Sequence, residues 1–152
     1  EAVFMTDKQH LIDSLAGRHL FLSSLHYTRF VQLYDAIEEL PFFCDGLIKC
    51  AFIAAWIQNF HDFFLEDIAI AARSGCRDTA VLQEQLVSRI PSLSPGEKAI
   101  FEIALEFLKN PGQTPSDGFL LRLSHIWVPI ADNALAASEI IDGLEGTKEP
   151  VK

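Results

Sequence analysis

Residues 59–75 read NFHDFFLEDIAIAARSG. The segment places His61, Asp62, Glu66 and Asp67 among aromatic and branched apolar residues. On a helix, Phe60, Phe63, Phe64 and position 67 fall at i, i+3, i+4 and i+7, which is one stripe. Asn59, Asp62 and Glu66 form an adjoining stripe, continued by Arg73, and read as a solvated face. Asp67 is the odd residue, because it follows the phenylalanines inward. A lone carboxylate there carries a large desolvation cost unless it is paired or protonated. Pairing with Arg73, His61 or a backbone N–H would serve structure, whereas a shifted acid beside His61 would point to chemistry.

Outward from this segment the chain reads as helices nearly throughout. Upstream, CAFIAAWI (50–57) is the longest apolar run, and a single helix is expected from about Cys44 to Arg73. It is apolar on most of its circumference between Leu47 and Phe64, so it is either central or at a subunit interface. Gly75 suits a left-handed helix end. Thr6-Asp-Lys-Gln9 reads as a capping box. The apolar spacing that follows carries a helix toward Leu40, with Gly17 as an interruption and Pro41 as the stop. A shorter helix is expected at 79–90. Ser94-Pro95-Gly96-Glu97 is the best-marked helix start in the chain, and Asn110-Pro111-Gly112 ends that helix. A short helix at 119–124 and a last one at 130–142, closed by Gly143, complete the reading, with 147–152 as a mobile tail. No strand alternation and no repeat of solenoid period is visible. The expected fold is all-α, a single domain of about six helices over residues 1–152.

The 152 residues suit one domain with one core. Only 22% are charged and nearly half are apolar, a globular composition. The formal net charge of −9 and the scatter of the 12 Lys and Arg make nucleic acid a poor partner. The opening residues EAVFMTDKQHL have no signal-peptide pattern, and no apolar run reaches the ~20 residues that span a bilayer. Cys44, Cys50 and Cys76 form no Cys-x-x-Cys and read as reduced thiols. Together these give the expectation of a cytoplasmic protein without a membrane partner.

The usual chemistries leave few traces. The chain has five histidines, but no Glu-x-x-His and no His-Glu-x-x-His, so no metal is expected. Gly-x-Ser-x-Gly and phosphate-binding glycine loops are absent, and no cofactor is expected. His19 and His26 lie seven apart. On one helix they would share a face, as a ligand face or as a pair of edge histidines bonded to backbone or water.

The order of LYDAIEELP (33–41), LIKCAFIAAWIQNF (47–60) and AIAARSGC (69–76) resembles the core of the alkylhydroperoxidase (AhpD)-like, carboxymuconolactone decarboxylase superfamily. LSPGEKAIFEIALEFLKNPG (93–112) and NALAASEIIDGLEG (133–146) are similar to its later segments. The resemblance covers roughly residues 33–146 and rests on apolar pattern and small residues. It implies an AhpD-like helical fold and a homo-oligomer, trimer or hexamer. Counted back from Gly75, the family's motif histidine falls on Asp67, and its two redox cysteines fall on Phe60 and Phe63. The residue before the second cysteine falls on Asp62. Phenylalanine supplies neither a thiolate nucleophile nor a resolving thiol, so thiol peroxidase activity is not expected.

The lactone decarboxylase branch needs no thiols, only a pocket and a proton donor. His61 and Asp67 are then the catalytic candidates, for cofactor-free acid/base work on a small molecule. An anionic substrate would meet few cations there beyond Lys49 and Arg73, which counts against that chemistry. The alternative is a non-catalytic helical domain that binds a ligand or a protein.

Overall fold

In the computed structural model, residues 2–75, 78–109 and 128–148 are described. They form seven α-helices around one core. These are α1 (Ala2–Gly17), α2 (Ser24–Ile37), α3 (Asp45–Ala54), α4 (Gln58–Ser74), α5 (Ala80–Arg89), α6 (Pro95–Lys109) and α7 (Val128–Lys148). A 3-10 turn, Ile90–Ser92, joins α5 to α6. No strand occurs among the described residues. The expected helix at 119–124 lies outside them, as do Cys76, His125 and residues 149–152 of the tail.

The core is organised around α3. Every residue of α3 after Asp45 is buried, because α2, α4, α6 and α7 all pack on it. The apolar girdle from Leu47 onward is thus covered within one chain. α5 lies against α4 and α6, and α1 lies against α7. In α2 the buried positions His26, Phe30, Leu33, Tyr34 and Ile37 make one helical stripe. In α6, Ile100, Phe101, Ala104, Phe107 and Leu108 do the same. Lys49 is buried with them, its Nζ 5.6 Å from the centre of the Phe107 ring.

Helix ends follow local chemistry in several places. Ser94 and Glu97 close the expected capping box: Ser94 N–H donates to Glu97 Oε1 (3.2 Å), and Glu97 N–H to Ser94 Oγ (3.4 Å). Gly75 takes φ 74° at the end of α4, the left-handed conformation expected there.

Four expectations are corrected. The capping-box pattern at Thr6–Gln9 does not start a helix, because α1 already runs through it from Ala2. The single helix over 44–73 is two helices, broken at residues 55–57. No proline or glycine marks the break. The carbonyls it releases are taken by α2: His26 reaches Phe52 O, and Arg29 reaches Ala55 O and Trp56 O. His19 and His26 do not share a helix. His19 sits in the α1–α2 turn with φ 59°, while His26 is in the first turn of α2. The last helix does not stop at Gly143 but runs from Val128 to Lys148. A glycine inside a helix costs only about 1 kcal/mol relative to alanine, so it permits an end without imposing one.

Candidate functional site

The two candidate catalytic residues both lie on α4, but on different sides of it. Six residues separate His61 from Asp67, about 600° of helical rotation, so their side chains diverge by about 120°. Their partners confirm the divergence, since His61 meets α2 and Asp67 meets α5.

Asp67 is fully buried. Arg89, the last residue of α5, grips it with both arms of its guanidinium. Nε donates to Oδ2 at 3.1 Å and Nη2 donates to Oδ1 at 2.8 Å. Nη2 also donates to Glu66 Oε1 at 2.9 Å, and the guanidinium lies 4.2 Å over the Phe63 ring. The hydrogen bonding of Arg89 to Asp67 is the largest influence on the guanidinium and raises its pKa, outweighing partial burial. Arg89 is therefore a fixed cation that neutralises the buried acid. The sequence points to Asp67 as the residue needing a partner, but its candidates do not include Arg89. Arg73, one of them, is exposed on α4.

His61 is buried at the α2–α4 contact. Its Nδ1 lies 3.1 Å from Asp62 Oδ1, and its Nε2 lies 3.1 Å from the side-chain amide oxygen of Gln32. Both ring nitrogens are occupied, and neither faces Asp67.

The positions matched to the redox cysteines are filled by rings. Phe60 is fully buried and stacks on Phe101 of α6, with centroids 3.9 Å apart and planes 19° apart. Phe63 is half-buried beneath Arg89. Asn59, Asp62, Glu66 and Arg73 are all exposed, the solvated stripe expected of them. The neighbourhood of the candidate residues is thus a helix-packing seam with one buried ion pair. An open groove of about 390 Å³ lies elsewhere, lined by Ala80, Gln83, Glu84, Val87 and Ser88 of α5 and by Lys109. None of Phe60, His61, Asp62, Phe63 or Asp67 lines it.

A second polar cluster emerges only in three dimensions. His26 is fully buried among Phe21, Phe52 and Trp56, with ring centroids 5.3, 4.6 and 5.9 Å away. Leu22 N–H donates to its Nδ1 at 3.0 Å, so the ring proton sits on Nε2, which donates to Phe52 O at 2.8 Å. Burial lowers its pKa to about 4; the bond to Phe52 works against that drop, and the Arg29 charge adds to it. The stripe His26, Phe30, Leu33, Ile37 signals its inward position in the sequence; its distant carbonyl partner leaves no local signal.

Among the described residues, no three His, Cys, Asp or Glu side chains gather as a metal-ligand set. No described helix is long and apolar enough to cross a membrane. The chain matches no family model, no curated protein and no solved structure.

Proposed function

We propose that this chain is a non-catalytic helical binding module, in which the acid and histidine of α4 serve helix packing. The observation that carries this reading is the bidentate Asp67–Arg89 pair. An acid that must give and take a proton needs access and a tunable charge. Asp67 is enclosed, and both of its oxygens are already taken by the Arg89 guanidinium. His61 offers no free nitrogen and is turned away from Asp67. Acid/base chemistry on a small lactone would require these two groups to converge on one ligand-sized space.

The test compares binding with turnover. A thermal-shift screen of small carboxylic acids and lactones should find compounds that raise the melting temperature by mass action without being consumed. His61→Gln should leave those shifts in place. Turnover of an acidic lactone that is lost in His61→Gln or in Asp67→Asn would overturn the reading and restore decarboxylase-like chemistry. Val87→Arg, in the α5 groove, reports whether binding uses that surface. Self-association as a trimer or hexamer, implied by the family resemblance, belongs to the same proposal and is read from the solution mass. Support for it from the apolar character of α3 is weak, since α3 is covered by its own chain.

A further inference from the structure

We propose that His26 is an acid-sensitive latch whose protonation releases the corner formed by the α1–α2 turn, the first turn of α2 and the α3–α4 break. The geometry admits only one ring state. Nδ1 must accept, because it faces the Leu22 N–H, and Nε2 must donate, because it faces the Phe52 carbonyl. A second proton on Nδ1 would set two donors against each other and break the bond to Leu22. It would also place a cation in a buried aromatic pocket one helical turn from Arg29, the charged group that acts on the ring. The aromatic side chains packed on the ring are Phe21, Phe52 and Trp56, and none of them titrates.

The latch has a defined reach. Phe52 O is freed by the α3–α4 break, where Trp56 N–H bonds Ile53 O instead. Nε2 keeps its proton in both ring states, so this bond is lost only when the charged ring leaves its pocket for water, and that departure leaves a buried carbonyl unpaired at the end of α3. Arg29 still holds Ala55 O, Trp56 O and Gln58, so the corner loosens while α4 stays attached. What it uncovers is apolar. Leu25 (57% exposed) and Tyr27 (39%) already stand at the surface beside it, and Tyr27 touches Phe21, which packs on Phe30 and Phe52. Acidification would extend that surface inward to the aromatic cluster.

Hydrogen exchange at pH 7 and pH 5, corrected for intrinsic exchange rates, tests the latch. With the ring pKa moving from about 4 closed to 6.5 open, segments 20–27 and 52–58 should open roughly twentyfold more at pH 5. Segment 100–108 of α6, which opens only with the whole fold, should stay better protected than those segments at both pH values. His26→Gln, whose amide can both accept and donate, should abolish the pH step. Equal protection in all three segments at pH 5, or a step that persists in His26→Gln, would overturn the proposal. Should that variant fail to fold, the wild-type imidazole decides the matter by nitrogen NMR. A neutral Nε2–H ring at pH 7 supports the latch, and a Nδ1–H ring or an imidazolium refutes it.

Discussion

Asp67 persists in the core because Arg89 meets both of its oxygens and stacks on Phe63, so charge, hydrogen bonding and packing are satisfied by one side chain. Buried pairs of this kind bring little net stability when formed but are costly to break from one side. Arg89→Met should therefore lose about 3 kcal/mol, because it strands a fully enclosed carboxylate. Asp67→Asn should lose less, about 1–2 kcal/mol, since the partly exposed arginine can turn to water and keep Glu66. The double variant should be more stable than the sum of the two losses, and urea denaturation of the four proteins measures that coupling. Additive losses would show that the pair is not the partnership described. The need for a partner at position 67 was readable in the phenylalanine stripe. Its identity was not, because Arg89 is 22 residues away and arrives only through the packing of α5 on α4.

The elements show the same division between local and distant causes. Some starts and stops governed by neighbouring residues are legible: the Ser94–Glu97 capping box and Gly75 both stand where the sequence places them, whereas Thr6–Gln9 and Gly143 fall inside helices. Gly75 has φ 74°, and an added Cβ would meet nothing within 4 Å. Gly75→Ala should then cost about 1 kcal/mol through backbone strain alone, seen as a small drop in melting temperature without loss of helicity. The α3–α4 break is illegible for the opposite reason. Ala55-Trp56-Ile57 contains no breaker, and the carbonyls left open are paid for by His26 and Arg29 from another helix. Arg29 also sits where the negative end of the α3 dipole favours a cation. Arg29→Met should cost about 1–2 kcal/mol. It should raise hydrogen exchange at 55–60 before it affects α6. Equal exchange in the two regions would mean that the corner is held by packing and not by these bonds.

For the whole molecule, the decisive fact is that the seven described helices share one core around α3, so the titration of a single group inside that core bears on the stability of the entire fold. His26 and Lys8 bound the favourable pH range from opposite ends. Burial resists a charge on Lys8, but Asp35, its hydrogen-bond partner, and Glu38 at 3.6 Å outweigh it and raise the pKa. Its contribution is complete below the ordinary lysine value and disappears as pH climbs through the raised one, loosening α1 from α2 at strongly alkaline pH. His26 acts at the acid end. Its folded pKa of about 4 lies below the unfolded 6.5, so the unfolded chain binds the proton first. Stability is full above pH 6.5 and falls as pH drops toward 4, by on the order of 3 kcal/mol over the window. Denaturant midpoints should accordingly be flat from pH 7 to 9 and decline below 6.5. In His26→Gln the decline between 6.5 and 4 should shrink to what the carboxylates contribute. An unchanged decline in that variant would assign the acid sensitivity to the acidic surface of a chain with net charge −9, and would remove His26 from the account.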